Sequence, residues 1–241
     1  MAFSWEEIKH EKDFKTYWFR GGFPDSLLAV NDRISNLWCK NYIRTFFTKD
    51  ILDISSGITA FQVERLYSML AHVHGQELNL SKIAKSLDLS FTTVRKYIDL
   101  LMGAFQLSLV PAFRNNTAKR LVKSPKLYLA DTGLLHALLN IQSMNELLGH
   151  PVYGYSFEGL VLRNIINHFK DWEYSFYKSA QGAELDLVLQ KGTRKIGIEI
   201  KASNQPVLTK GTYIAIEDIQ PDLVWIVTPS SDEFLLKIKL G

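Results

Sequence analysis

The segment Ala183–Lys201, AELDLVLQKGTRKIGIEIK, decides the fold of this chain. Leu185, Leu187 and Leu189 alternate with Glu184, Asp186 and Val188; further on, Ile196, Ile198 and Ile200 alternate with Gly197, Glu199 and Lys201. Period two on both arms predicts a β-hairpin. With Gln190 opposite Lys195, Lys191 to Arg194 form a four-residue loop containing Gly192, and Asp186 falls opposite Glu199. Like charges facing each other across antiparallel strands are destabilising. A cation shared by the two carboxylates removes that penalty, and a nearby ammonium such as Lys201 lessens it. The arrangement points to a hard-metal site, Mg²⁺ or Mn²⁺, with Asp186 and Glu199 as oxygen ligands. The competing reading of the same residues is a solvated strand face of alternating acids and lysines.

Outward from the hairpin the sequence reads as helix, three strands, helix, strand. Phe157 to Phe169 is expected to be a helix carrying Glu158, and Trp172 to Tyr177 a first strand. Leu208 to Ile219 is a crossover helix weakened by Gly211, and Leu223 to Val227 a buried strand. That order is an α/β core. The spacing of Asp186 to Glu199-Ile200-Lys201, with Glu158 on a preceding helix, resembles the core of the PD-(D/E)xK nuclease superfamily. The resemblance implies a restriction-endonuclease-like fold in which the carboxylates hold one or two divalent ions. It also implies that Glu158 contributes a further carboxylate, directly or through water, and that Lys201 positions or activates the attacking water. A bound metal lowers the pKa of its water and neutralises phosphodiester charge, and an adjacent lysine stabilises developing negative charge.

Upstream, Phe61 to Met102 reads as a helix-turn-helix. Val63 to His74 is one helix ended by Gly75, and Leu80 to Leu87 is the next. Asp88-Leu89-Ser90 is the turn, and Ser90 caps a third helix whose Val94, Ile98, Leu101 and Met102 face inward. Thr92, Thr93, Arg95 and Lys96 are left outward near its N-terminal end, where a recognition helix presents polar and basic groups to a major groove. From Leu100 to Lys126 there are five basic residues, Arg114, Lys119, Arg120, Lys123 and Lys126, and no acidic one. They fall between the strands Leu107–Val110 and Leu127–Leu129, so RNNTAKR at 114–120 reads as the tip of a wing. Arg114, Lys119 and Arg120 join the helix residues as candidate contacts to a DNA backbone, an interaction that weakens steeply with salt. A winged helix serving as a protein-binding module accounts for the same pattern.

The first seventy residues read as helical, broken at Gly21-Gly22-Phe23-Pro24-Asp25. Leu37, Trp38, Tyr42, Ile43, Phe46, Phe47 and Ile51 recur at helical spacing in a long helix over Asn36–Ile54, a stripe that reads as core. Asp131 or Thr132 caps a short helix ending near Leu139, with His136 as a packing residue. Gly149 to Gly154 is linker-like and marks a domain boundary. No G-x-x-x-x-G-K-[ST] sequence occurs, so no ATP site is expected. The single Cys39 excludes an internal disulfide, and the six scattered histidines form no zinc pattern. No run reaches the ~18 apolar residues of a membrane span, and the N-terminus is not a signal peptide. A formal charge of +3 is compatible with nucleic acid without requiring it, and the expected location is the cytoplasm.

Several short motifs in order extend the likeness over nearly the whole chain. These are Gly21-Gly22-Phe23-Pro24, Tyr42-Ile43 with Lys49-Asp50-Ile51, the winged helix, Tyr128 to Leu134, Phe157-Glu158, Glu184-Leu185-Asp186 and Ile198 to Lys201. Together they resemble the C-terminal region of bacterial and archaeal AAA-type ATPases, in which a winged helix is joined to a PD-(D/E)xK-like domain. The resemblance implies an ATPase module ahead of Gly21; its absence here makes a truncated form the expectation. The fold class expected is α+β in two domains: 1–150, helical with a winged helix over 61–130, and 151–241, nuclease-like. The function expected is a DNA-binding, metal-dependent nuclease-like module partnered by an ATPase, with homo-oligomerisation open. The alternative is a non-catalytic adaptor coupling an ATPase to DNA or protein.

Overall fold

Helix boundaries follow from caps. In the computed structural model, which describes residues 2–51, 59–114 and 123–230, short polar side chains take the first free amides of successive helices. Asp13 caps α2 (Phe14–Arg20), Asn31 caps α4 (Asp32–Thr45), Asn79 caps α6 (Leu80–Leu87) and Ser90 caps α7 (Phe91–Gly103). Asp131 caps α8 (Thr132–Leu138), Ser143 caps α9 (Met144–Leu148) and Thr209 caps α11 (Lys210–Ile219). The remaining helices are α1 (Trp5–Ile8), α3 (Pro24–Leu27), α5 (Ala60–Ala71) and α10 (Tyr153–His168).

The chain divides into two compact units, residues 1–109 with 127–160, and residues 110–126 with 161–241. β1 (Gln76–Glu77), β2 (Leu107–Val110) and β3 (Lys126–Leu129) form a sheet in the order β1-β3-β2, which apart from Val110 and Lys126 belongs to the first unit together with α5, α6 and α7. The core of this unit is aromatic: Trp18 packs on Tyr153 and Phe157, and Phe47 on Tyr67. Asp131 ties distant segments together, accepting from Gly22 N at 2.7 Å and Leu134 N at 3.1 Å. Gly21, at φ +76, adopts a backbone conformation that L side chains disfavour, and a Cβ there would run into the Asp131 carboxylate.

In the second unit β4 (Glu173–Lys178), β5 (Glu184–Lys191), β6 (Arg194–Ile200) and β7 (Leu223–Val227) lie in that order. The first three run antiparallel, and β7 joins β6 in parallel through the crossover helix α11. Parallel neighbours require such a crossover. Leu185, Val188, Ala215, Ile216 and Ile219 form the core between sheet and α11, with Phe113 and Tyr177 added.

The sequence reading needs adjusting in places. α4 starts at Asp32, four residues before the expected helix, because Asn31 provides its cap, and it continues into a π-helical turn over Phe46–Asp50. α10 starts at Tyr153, so the last two residues of the linker-like stretch are helical. The hairpin loop is shorter than four residues: Lys191 pairs with Arg194. Gly192, at φ +62, turns the chain at the position where a two-residue II′ turn takes glycine. Among the described residues β7 is an edge strand, with Leu223 and Trp225 exposed, not a buried one. Among the described residues no helix is long and apolar enough to cross a membrane.

Candidate metal centre

The expected register holds. Gln190 pairs with Lys195 and Leu187 with Ile198, where the paired ladder ends; Asp186 and Glu199 are the next residues on their two strands. Both strands are covered on both sides, so both carboxylates are buried, Asp186 to 8 % and Glu199 to 3 % exposure. Asp186 Oδ2 accepts from Ile200 N at 2.8 Å, pinning the side chain to the strand that carries Glu199. Glu199 Oε1 is held by Lys201 Nζ at 2.6 Å and by the Thr212 hydroxyl at 3.2 Å, the latter delivered by the first turn of α11. Glu199 Oε2 is buried with no hydrogen-bond partner among the described residues.

Electrostatics follow from this burial. Desolvation raises the pKa of Asp186, against the pull of Lys126 and of the Ile200 amide. Desolvation also raises that of Glu199, the Asp186 charge adds to it, and Lys201 and Thr212 work the other way. Glu184 differs: burial opposes its charge, but Lys126 and Lys178 outweigh it and hold the carboxyl below its usual range. Lys126 Nζ lies 2.9 Å from Glu184 Oε1 and 3.8 Å from Asp186 Oδ1, and Lys178 Nζ lies 3.2 Å from Glu184 Oε2.

Of the four residues expected to act together, Asp186, Glu199 and Lys201 share this cluster. Glu158, in the first unit, is buried and accepts from the Tyr128 hydroxyl at 2.5 Å. Among the described residues no group of three His, Cys, Asp or Glu side chains is arranged to hold a metal, so the donor set in the second unit is two carboxylates. That set suits Mg²⁺ or Mn²⁺, since Mg²⁺ commonly takes one or two carboxylates and fills its shell with water and substrate phosphate oxygens. The unpartnered Glu199 oxygen is consistent with a ligand there. Sequence reasoning missed Lys126, Lys178, Glu184 and Thr212 as parts of the cluster. Glu184 was visible as an acid in the β5 alternation, but nothing local marked the other three.

Those of the expected nucleic-acid residues that are described fall at the start of α7 and, for Arg114, after β2. Thr92, Arg95 and Lys96 are exposed, while Thr93 is half-buried. Ser90 Oγ accepts from Thr93 N at 3.0 Å and lies 2.8 Å from the hydroxyls of both Thr92 and Thr93. Both threonine hydroxyls are thus committed to the cap. Arg114 is exposed. Lys119 and Arg120 lie outside the described residues.

Comparison with known proteins places the chain. Residues 11–145 match a domain of unknown function, DUF8612, and residues 153–238 match a second, DUF4143. The chain belongs to the DUF8612 family. Its residues 153–238 are similar to the DUF4143 domain, a type found with AAA ATPases. Uncharacterized protein Rv2008c of Mycobacterium tuberculosis and uncharacterized protein Mb2031c of Mycobacterium bovis are each 36 % identical over 219 residues. That alignment covers 91 % of this chain and 50 % of each relative. Uncharacterized protein MJ1544 of Methanocaldococcus jannaschii is 24 % identical over 227 residues, covering 91 % of this chain and 48 % of that protein. The chain spans about half the length of these relatives. No solved structure matches it.

Proposed function

We propose that this DUF8612 and DUF4143 protein is a nucleic-acid-binding module whose second unit is a PD-(D/E)xK-like, metal-dependent phosphodiesterase. The observation that carries the reading is Glu199 Oε2, a buried carboxylate oxygen left without a donor beside a second buried carboxylate and a lysine. Leaving such an atom unsatisfied is costly for a fold. Asp186 and Glu199 hold the ion, which when bound supplies positive charge against a phosphodiester and an acidified water. The protein's own groups do the positioning. Ile200 N fixes Asp186, Thr212 fixes Glu199, and Lys201 sets an ammonium where negative charge develops.

In the first unit, three helices and a small sheet in the order β1-β3-β2 support a winged-helix reading, with the exposed Arg95 and Lys96 available to a phosphate backbone. The AAA-type ATPase partner rests on the DUF4143 match and on relatives twice as long. A second reading, a non-catalytic adaptor between such an ATPase and DNA or protein, is favoured by the absence of a third ligand side chain among the described residues.

Calorimetric titration of Mn²⁺ into wild type and Asp186→Ala, with plasmid and single-strand cleavage assays on the same samples, separates the two. The phosphodiesterase reading expects binding and cutting in wild type, with cleavage at least ~100-fold lower in the variant. Salt-sensitive DNA binding that is indifferent to Asp186→Ala, without cutting, sinks it and leaves the adaptor.

A further inference from the structure

Lys126 sits in an unusual place for a lysine. It keeps 3 % exposure, and lysines are almost never so buried unless paired. Its ammonium lies against the Phe176 ring, 5.4 Å from the centroid, with Glu184 at 2.9 Å and Asp186 at 3.8 Å. It begins β3 and is confined by burial, so this cation is built into the site rather than swinging over it from solvent. Lys178 pairs with the far oxygen of Glu184, and Lys201 with Glu199. Each carboxylate of the cluster therefore already answers to an ammonium.

A divalent ion approaching Asp186 meets the charge of Lys126 a few ångströms away, in a setting where water screens little. Two carboxylates also leave most of a Mg²⁺ or Mn²⁺ shell to be completed from elsewhere. A phosphodiester oxygen answers both deficits, since it is a ligand and brings negative charge. We propose that Lys126 is a resident counter-cation that makes metal binding conditional on a phosphodiester: the ion is held weakly by Asp186 and Glu199 alone and firmly when a phosphodiester anion is present. This rests on the reading of Asp186 and Glu199 as ligands. Lys126 is on this account a positioning residue that acts on affinity and order of binding, and Glu184 is its tether.

The test is free Mn²⁺ measured by electron paramagnetic resonance, without and with dimethyl phosphate, a diester the site does not consume. Wild type is expected to bind Mn²⁺ about tenfold more tightly with the diester than without. Lys126→Met is expected to bind Mn²⁺ alone about tenfold more tightly than wild type and to lose most of the diester dependence. Glu184→Gln reads the same effect with the opposite sign. With its nearer partner neutralised, Lys126 weighs more on Asp186, and binding of Mn²⁺ alone falls further. It carries the test if circular dichroism finds Lys126→Met unfolded.

Asp186→Asn separates the failures. If it abolishes Mn²⁺ binding while Lys126→Met and Glu184→Gln match wild type in both conditions, the counter-cation is wrong and the metal site stands. Tight binding of Mn²⁺ alone by wild type, unmoved by diester, overturns the proposal in the same way. If Asp186→Asn binds like wild type, or wild type binds nothing in either condition, both fall.

Discussion

The two units bury their polar groups in opposite ways. In the first, the deepest ones are matched atom for atom. His136 donates from Nδ1 to Phe19 O at 2.8 Å and accepts at Nε2 from the Ser156 hydroxyl at 2.8 Å, while Ser156 Oγ accepts from Trp18 Nε1 at 2.9 Å. His74 accepts from Leu129 N at 3.0 Å and donates to Tyr155 O at 3.2 Å. Each imidazole is fixed in one neutral tautomer by its amide, carbonyl or hydroxyl partners. The unpartnered Thr132 Oγ1 is a neutral exception. In the second unit, charges face charges, two carboxylates sit with raised pKa, and one carboxylate oxygen is left over. Polar groups that serve only the fold are expected to close their own accounts of donors and acceptors; a cluster that does not is arranged for something outside itself.

Acid is the strongest way to break this contrast. Desolvation lowers His136 to about 4 and His74 to about 3. Both lie below the unfolded value of 6.5, so below that pH the unfolded chain binds protons that the folded chain refuses. Stability is full above pH 6.5 and is lost as pH falls toward 4, at up to about 1.4 kcal/mol per unit for each histidine. Guanidinium unfolding between pH 7 and pH 5, followed by first-unit tryptophan fluorescence, should show this slope. A flat profile would mean that the network accepts a proton and is not the closed system described. Asp131→Ala comes next. It leaves Gly22 N and Leu134 N without their acceptor and is expected to cost roughly 3 kcal/mol by denaturant midpoint; a loss under 1 would make Asp131 replaceable by water.

The second unit should answer with the reverse sign. Because burial raises Glu199, its ionised form is disfavoured in the fold, and that cost grows as pH rises above 4.5. Glu199→Gln is accordingly expected to stabilise the protein by about 1 kcal/mol at pH 7 while removing Mn²⁺ binding. A variant that is less stable in differential scanning calorimetry would make Glu199 a structural group like Asp131. The smallest expected effect is Arg95→Ala with Lys96→Ala. Stability should stay within about 0.5 kcal/mol, and if α7 lies on a nucleic acid the salt slope of binding should fall by about 2.

The hairpin register was legible because Leu and Ile recur at period two on both arms, and shifting by one residue would turn every apolar side chain to the other face. The register Gln190–Lys195 leaves open whether Lys191 and Arg194 also pair; they do, and Gly192 with its positive φ turns the chain in two residues. Leu223 to Val227 reads as buried, since an apolar run carries no mark of its place in a sheet; only the topology reveals an edge. Asp186, Glu199 and Lys201 could be listed from spacing alone. Lys126 could not. It lies some sixty residues from its partners, and in the sequence it counts as one more positive charge on a basic wing.

One feature of the chain path bears on synthesis. Residues 110–126 belong to the second unit although they interrupt the first. Pro111 O accepts from Phe176 N at 3.0 Å and Phe113 N donates to Phe176 O at 2.7 Å, while Lys126 awaits Glu184. At ribosomal speed Phe176 follows Phe113 by several seconds. During that interval the nascent excursion has neither its strand partner nor its counter-charge, and the first unit holds two ends of a loop whose anchor has not yet been made. A stop codon after residue 160 would freeze that state, so the two halves of this sequence are not separable genetic parts even though their family matches lie end to end.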